Sequence, residues 1–575
     1  MTTDGSAGGG SASGVTRVLL ARQVLLGRGT AGDPWRCVPA QLDIAGDRLR
    51  TITPLTDADY AARAGDARRA GRFDQGSAVG PADVRTSGSA APADGDGLAD
   101  ANAHPKTILR QDPGREQAQG SPVTVEILEG LLTPALVNYH VHLPLIGLRG
   151  VSHAWAGSGA AGMVEQAFFT FEHRLDGPAV RALAQLGAYD ALLNGTGCVW
   201  EHYYFAESIA EALAEVGLAG VIAPTLQDLV GPGAQRTAEN LAATAHIGTS
   251  SAWAASGITT AVGPHATDTC SASLLRQALE LAASLGLPVH MHLAQSAAEV
   301  SAVHAREGLS PARLLTSLLH EVCAGSQRGY PLQVLAAHAL YAPVAELQRL
   351  AEVGQLTLGA CPSSQSIFAF PAPVEAWSAA GLAWRIGTDC AASNDGHNLL
   401  AEARLLPALA RARRMTQVLA STARHQREEA VGTSAKVDGV ARESQGSRGD
   451  APCADDDLIF RRAVAEDAVA LSPDRLLSAV MGGNGNLHPL LPCGAIEPGA
   501  LASLALWSWD HPSLFPEQPH AAAALVFSQP LLALRRLVVR GRDIGDSSPQ
   551  WREALLDSAA YQRALAAARH VLSRL

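Results

Sequence analysis

The chain has 575 residues, of which 47% are hydrophobic, and its formal net charge at pH 7 is -11. This length accommodates a large catalytic domain and a smaller one, and an acidic chain without a basic run argues against a nucleic-acid partner. The eight cysteines include no CxxC pair, which argues against a zinc ribbon or a disulfide framework. The sequence has no apolar stretch of transmembrane length and no secretory signal pattern. We therefore expect a cytoplasmic protein without membrane contact.

Lysine is nearly absent, since Lys106 and Lys436 are the only two in the chain, and both lie in low-complexity segments. A P-loop lysine and a buried Schiff-base lysine therefore have no candidate. A carbamylated lysine bridging two metal ions is excluded for the same reason.

In chain order, residues 1–14 read as a flexible tail, and residues 15–56 alternate between polar and apolar with turn signals, which predicts a short β-meander. Two segments, 57–122 and 421–457, are rich in small and polar residues and poor in large apolar ones. We predict that both are disordered insertions.

Between these insertions, strand-like apolar runs alternate with helical patterns such as 271–286, where a serine can cap the helix and a glycine can end it. The runs are 135–137, 198–204, 219–225, 258–263, 288–292, 333–337, 355–361 and 383–387. Eight strand–helix units predict an α/β fold, a (β/α)8 TIM barrel. The alternative, an open doubly wound sheet, is weakened by the absence of a glycine-rich phosphate loop after the first strand.

Polar side chains gather at the C-terminal ends of these runs, which all face one mouth in a barrel. They are His140, His142, Glu201, His202, His265, His290, His292, Gln295, His338 and Asp389. Residues i and i+2 of a strand share a face, so His140 and His142 can offer two nitrogen ligands from one strand end.

Three imidazoles and a carboxylate at a barrel mouth make a zinc site with room for water. We choose His140, His142, His292 and Asp389 as ligands, with His290 one layer deeper in the core. Asp389 could accept the proton of the metal-bound water, and His338 could orient the hydroxide or stabilise developing negative charge.

Several segments resemble the metal-dependent amidohydrolase superfamily, in particular the mononuclear branch with cytosine, guanine and adenosylhomocysteine-type deaminases and s-triazine hydrolases. The similar segments are TPALVNYHVHLPLIGLRG (133–150), GTGCVWEHYYF (195–205), GPHATDTCS (263–271), LPVHMHLAQSAAEV (287–300), LAAHALYAP (335–343), GACPSSQSIF (359–368), IGTDCAASND (386–395) and CGAIEPGALASLALWSWD (493–510).

The resemblance implies one divalent metal on the same four ligands, most simply Zn²⁺ with Fe²⁺ or Mn²⁺ as alternatives. It also implies that His338 activates water and that His265 touches a small-molecule substrate. For the architecture it implies a barrel over 134–480, interrupted by the second insertion. A composite β-sandwich would join 15–56, 123–133 and 493–545, followed by a C-terminal helix over 546–575. A homodimer is the expected assembly.

One position departs from the family pattern, because Gln295 stands where the family places a glutamate that protonates a ring nitrogen. Glutamine has no titratable proton. The leaving group could need little protonation, or Glu201, which we also place at the substrate, could act as the acid. Alternatively, Asp389 and His338 could carry all proton transfer.

We therefore expect hydrolytic deamination of an amino-substituted heterocycle, of purine, pyrimidine, pterin or triazine type, by metal-bound hydroxide. The alternatives are a hydrolase of the same fold that displaces halide or a thioether, and a catalytically silent relative.

Overall fold

The computed structural model of the chain describes residues 15–30, 32–69, 123–155, 162–325, 331–434, 470–482 and 487–575. Within these ranges, no helix is both long enough and apolar enough to cross a membrane. The predicted flexible tail and the greater part of both predicted insertions lie outside the described residues.

The strands are, in chain order, β1 (Arg17–Leu26), β2 (Arg36–Ala45), β3 (Arg48–Pro54), β4 (Thr124–Pro134), β5 (Leu136–Val141), β6 (Thr196–Tyr203), β7 (Ala219–Leu226), β8 (Ile258–Thr260), β9 (Gly263–Pro264), β10 (Val289–Leu293), β11 (Gln333–His338), β12 (Gln355–Ala360), β13 (Ala383–Ile386), β14 (Leu504–Trp507), β15 (Leu534–Val539) and β16 (Arg542–Asp543).

The α-helices are Asp57–Arg69, Ser152–Trp155, Phe169–Glu172, Gly177–Leu193, Ala206–Val216, Thr237–Thr249, Ser251–Ala255, Ala272–Leu285, Ala297–Glu307, Pro311–Gly325, Val344–Val353, Pro362–Phe368, Val374–Ala379, Ala391–Asn394, Leu399–Ser434, Pro473–Ala479, Ala521–Phe527, Trp551–Asp557 and Ala559–Leu572. Two short 3-10 helices, Leu143–Leu148 and Pro530–Ala533, and one π-helical turn, Val164–Phe168, complete the set.

The strands β5 to β13 form a closed parallel barrel. The short strands β8 and β9 follow one another, both pair with β7 and together make the fourth barrel strand. Parallel ladders run from β5 to β8 and from β10 to β13. The bridges Val262–Val289 and Val141–Asp389 join the two halves. All eight predicted runs are strands, and closure rules out the open doubly wound sheet. The (β/α)8 barrel is thus the observed architecture.

Capping residues set the ends of a barrel helix, as the helix Ala272–Leu285 shows. In the helix Ala272–Leu285, the hydroxyl of Ser271 accepts a hydrogen bond from the amide of Leu274, and Gly286 ends the helix in the left-handed conformation at φ 69°. Both positions match the sequence prediction for this segment. Its apolar face, which includes Leu275 and Leu279, is buried in the main core.

Strands from both ends of the chain form one seven-stranded sheet in the order β16-β15-β14-β4-β1-β2-β3. Neighbouring strands are antiparallel except β1 and β4, which are parallel. We expected a composite β-sandwich; outside the barrel, the described strands form this one composite sheet, so the sandwich is not confirmed.

A helix covers part of this sheet instead. Residue 57 was predicted to open a disordered insertion, but Asp57–Arg69 is helical. Thr56 and Asp59 cap it reciprocally: Oγ1 of Thr56 lies 3.1 Å from the Asp59 amide, and the Asp59 carboxylate lies 3.4 Å from the Thr56 amide. Tyr60 and Ala64 then pack in a small apolar cluster with Leu20 of β1. The prediction was wrong here because a low apolar content concealed a capping box.

Two other boundaries differ from expectation. The helix Leu399–Ser434 runs into the segment 421–457 that was predicted to be disordered. The predicted C-terminal helix over 546–575 is two helices, because Ser558 ends the first and caps the second by accepting from the amide of Tyr561.

Candidate metal centre and active site

A break in strand register aims His140 and His142 into the barrel. Val137 and Tyr139 pack inside it in an apolar cluster with residues of β6, β7 and β11. The β5–β6 pairing slips by one residue between Asn138 and Val141, and such a bulge changes which side chains face inward. As a result His140 lies within the histidine cluster, where its Nδ1 is 2.9 Å from Nε2 of His290.

The four predicted metal ligands and His338 lie close together at this point. Oδ1 of Asp389 lies 3.4 Å from Nε2 of His142 and 3.8 Å from Nε2 of His140. Nε2 of His292 lies 3.3 Å from Nε2 of His142, and Nε2 of His338 lies 3.9 Å from Oδ2 of Asp389. Two overlapping triplets have all their ligand atoms within 4.8 Å of one another: His140, His292, His338 and His140, His142, Asp389.

The donor chemistry fits a transition-metal ion. Burial lowers the pKa of His142 and that of His292 to about 4, so both rings are neutral at pH 7 and have a lone pair to offer. Nε2 of His140 is buried and has no hydrogen-bond partner among the described residues. Neutral imidazoles with one carboxylate match the ligand preference of zinc.

The second ring nitrogens of His142 and His292 are hydrogen-bonded to backbone carbonyl groups. Nδ1 of His142 lies 2.5 Å from the carbonyl oxygen of His202, and Nδ1 of His292 lies 2.8 Å from that of His265. A carbonyl only accepts, so each Nδ1 carries the proton and each Nε2 is left as the ligand atom. The cluster is therefore arranged for metal binding by its surroundings as well as by its ligands.

The conformation of Asp389 is fixed by its neighbours. Burial raises its pKa, which the hydrogen bond from Ser364 partly opposes; Ser364 Oγ is 2.5 Å from Oδ2. Asp389 adopts a left-handed backbone with φ 58°, and His338 does so with φ 72°. Left-handed conformations at residues other than glycine cost energy and are concentrated at functional sites.

A cavity opens beside the cluster of histidines and Asp389. One wall is apolar and comes from the π-helical turn and the short helix after it, with Phe168 and Phe169 buried; π-helical turns recur at functional sites. The polar lining comes from His142, Glu172, His202, Tyr203, Tyr204, Thr225, His265, His292, Gln295 and Asp389. The predicted site residues His265 and Gln295 thus lie in the same cavity as the cluster.

Gln295 is held at the cavity through its backbone. The buried carboxylate of Glu299 accepts hydrogen bonds from the amide of Gln295 at 2.7 Å, from that of Ala294 at 3.0 Å and from Oγ1 of Thr267 at 2.5 Å. Burial raises the pKa of Glu299 to about 7. The position after β10 is therefore rigidly built, although its side chain is not acidic.

Glu201 does not reach this cavity. Its Oε2 accepts a hydrogen bond from the amide of Leu143 at 2.9 Å, and burial raises its pKa well above the usual range. The expected substrate contact of Glu201 is therefore not met, because adjacent residues of a strand face opposite sides and His202 takes the inward one.

His202 and Glu172 are among the polar groups of the cavity that sequence reasoning missed. That reasoning noted His202 at a strand end but chose Glu201, since both faces of β6 are buried and the alternation is hidden. Glu172 gave no periodic signal, because it ends a helix of only four residues. It is 8% exposed, and burial raises its pKa to about 8 while the neighbouring Tyr203 hydroxyl lowers it.

The sequence model of the amidohydrolase family matches residues 131–428, more than half of the chain. The chain belongs to the amidohydrolase family. The matched region contains every predicted metal ligand, and the resemblance inferred from the sequence motifs is confirmed.

Among curated proteins, a 5-methylthioadenosine/S-adenosylhomocysteine deaminase of Moorella thermoacetica is 31% identical over 287 residues, covering 48% of this chain and 61% of that protein. A 5'-deoxyadenosine deaminase of Methanopyrus kandleri is 29% identical over 287 residues, covering 50% of this chain and 63% of the relative. The chain thus aligns with about three fifths of the length of these relatives.

Among solved structures, an adenosine deaminase of Xanthomonas campestris with bound zinc superposes with a TM-score of 0.65 at 20% identity, covering 97% of this chain and 98% of that chain. At this identity the likeness establishes the shared fold.

Proposed function

We propose that this protein is a metal-dependent hydrolase that removes an amino group from a planar nitrogen heterocycle of purine, pyrimidine, pterin or triazine type. The observation that carries the proposal is the convergence of His140, His142, His292 and Asp389 beside a cavity with an aromatic wall. The names of the curated relatives, which are deaminases of adenosine-type compounds, favour a purine among these rings.

The metal would be held by His140, His142, His292 and Asp389, with zinc as our choice. It would supply Lewis acidity and bring the pKa of a bound water close to neutrality. Zinc is present in the adenosine deaminase structure of similar fold, and Fe²⁺ and Mn²⁺ accept the same donors.

The chain's own residues would position the reactants and move the protons. Asp389 would take the proton of the attacking water on Oδ2, the oxygen that Ser364 holds in place. His338, 3.9 Å from that carboxylate oxygen, would donate a hydrogen bond to the oxygen added to the ring carbon. His265 would contact the ring, and its Nδ1 is oriented by Oγ1 of Thr269 at 2.9 Å.

Gln295 motivates an alternative, which is displacement of a halide or a thioether. A glutamine can hydrogen-bond a ring nitrogen but cannot deliver a proton to a departing amine. In the proposed deamination, that proton would come from Asp389 after it has received it from water. In the alternative, the leaving group departs as an anion and needs none.

An ammonia-release screen distinguishes these reactions. Zinc-loaded protein is incubated with aminopurine nucleosides, aminopyrimidines, pterins and amino-triazines, and a chelator-treated sample serves as the control. We expect metal-dependent ammonia release from at least one class. Chloride or thiol release without ammonia would establish the alternative, and silence with one zinc bound per chain would favour the silent relative.

The cytoplasmic location and the homodimer stay predictions. Light scattering of the purified protein at several concentrations would measure the mass of the assembly and test the second of these.

A further inference from the structure

His202 is a buried imidazole on the cavity wall that the assignments above leave without a role. Its relative exposure is 1%, and it lines the same cavity as Gln295 and His265. Its backbone carbonyl receives the hydrogen bond of His142, and its Nδ1 lies 3.0 Å from Oγ1 of Thr225. Main chain and ring are therefore both fixed, so the direction of its second nitrogen is fixed too.

That second nitrogen, Nε2, has no hydrogen-bond partner among the residues that the structure describes. Buried polar atoms are almost always paired, and one left unpaired at a cavity wall points to a ligand or a water that completes it. The neighbouring rings are those of His292 at 5.1 Å and His265 at 5.9 Å between centroids. Both line the cavity.

A further neighbour is His290, whose ring centroid lies 5.3 Å away and whose Nδ1 also has no hydrogen-bond partner within the described part of the chain. A water shared by these two nitrogens is the competing explanation. It would make His202 a structural residue, so the experiment has to separate the two roles.

We propose that His202 is a substrate-contacting residue whose Nε2 donates a hydrogen bond to a ring nitrogen of the bound heterocycle. When the Thr225 hydroxyl donates to Nδ1, Nε2 carries the proton and faces the lone pair of a ring nitrogen. Such a bond withdraws electron density from the adjacent ring carbon and favours attack by water, with no proton transferred. The inference rests on the proposed function for the class of ligand, a nitrogen heterocycle.

The variants His202→Phe and His202→Met remove the donor and keep an apolar side chain of similar size, so that failure of one to fold leaves the other. His202→Gln restores a donor, and Thr225→Val keeps the imidazole but removes the hydroxyl that directs its proton to Nε2. Each variant keeps the carbonyl that holds His142, so we expect zinc content to stay close to that of the wild type.

Binding is measured by calorimetry on the zinc-loaded proteins, with the heterocycle of the screen that binds best and with its deaza analogues, in which one ring nitrogen becomes C–H. We expect His202→Phe and His202→Met to raise the Kd by about 10- to 100-fold, His202→Gln to recover part of this, and Thr225→Val to raise it by about fivefold or less. The deaza analogue that lacks the nitrogen contacted by His202 should bind weakly to the wild type. Its affinity should not fall further in His202→Phe, because the hydrogen bond is already absent.

Binding within twofold of the wild type in both apolar variants would overturn the inference and favour the shared water. The same conclusion follows if every deaza analogue responds equally in wild type and variant. A heterocycle that binds through His202 without releasing ammonia would overturn the proposed deamination and leave this inference standing. If no heterocycle binds the zinc-loaded protein, both are wrong.

Discussion

Ser364 donates a hydrogen bond to Asp389, with 2.5 Å between Oγ and Oδ2. Ser364 lies in the helix that follows β12, and Asp389 lies just after β13, so the bond joins two neighbouring strand ends at the barrel mouth. Oδ1 of the same carboxylate lies nearest the imidazoles of His140 and His142. Because Ser364 binds Oδ2, Oδ1 is the carboxylate oxygen that would be available to a metal ion.

Ser364→Ala should therefore weaken zinc binding about 10- to 100-fold, the usual effect of removing a group that orients a metal ligand. Ser366→Ala is the matched control, because its hydroxyl bonds to the carbonyl of Pro362 at 2.6 Å in the same helix. Zinc affinity is measured by competition with a chromogenic chelator. Equal affinities in the two variants would show that Ser364 does not orient the carboxylate.

Asp389→Asn keeps the size of the side chain but removes its charge and basicity. We expect ammonia release to fall at least about 10³-fold, because both the metal ligand and the proton acceptor are lost. Zinc stoichiometry, determined on the same samples, shows whether activity is lost because zinc no longer binds or because the proton acceptor is absent. Full activity in this variant would contradict the assignment of the site.

Glu172 predicts a measurable dependence of stability on pH. In the folded protein burial raises the pKa of its carboxyl group from 4.5 to about 8, so the folded state keeps a proton that the unfolded state loses. The contribution of Glu172 to stability is then most favourable below pH 4.5 and becomes less favourable as the pH rises to about 8. One pKa unit corresponds to about 1.4 kcal/mol, so the wild type should lose a few kcal/mol of unfolding free energy over this pH range because of Glu172. In Glu172→Gln this loss should be absent.

The free energy of unfolding in urea is measured at pH 5 and at pH 8 for both proteins. The change between the two pH values should be smaller in Glu172→Gln than in the wild type. Parallel curves would mean that Glu172 is ionised in the folded state.

The barrel and most of its site could be predicted because strand ends are local features of a sequence. Each polar residue after an apolar run falls at the same mouth, whatever the loops do. The register slip before His140 could not be predicted, since it arises from pairing with β6. Nor could the inward turn of His202, because a strand buried on both faces shows no alternation.

Other elements depend on contacts between distant parts of the chain. Glu172 becomes part of the site only because a short helix folds over the barrel mouth. The helix after Thr56 did carry a local signal, in the Thr56 and Asp59 pair, although Asp59 stands where the usual capping box has a glutamate.

Zinc should stabilise the fold, because its donors lie on three separate strand ends, those of β5, β10 and β13, and come together only in the folded protein. Adding zinc to about 100 times its Kd should raise the free energy of unfolding by about 2.7 kcal/mol relative to chelator-treated protein. Magnesium should not replace it, since imidazole nitrogens suit transition metals. Melting temperatures with each ion measure this, and equal effects of the two ions would contradict a nitrogen-rich site.

The backbone that carries Gln295 rests on Glu299, which gives a last prediction. Glu299→Gln would turn one acceptor oxygen into an NH₂ group facing backbone amides that also donate, so we expect a loss of about 2–4 kcal/mol of stability. Thr267→Val removes one donor to the same carboxylate. Because the two side chains share one hydrogen bond at 2.5 Å, their effects should not add, and the double-mutant cycle should give a coupling of about 1 kcal/mol or more. Additive losses in urea unfolding would show that Thr267 and Glu299 act independently and that Gln295 is held by the main-chain bonds alone.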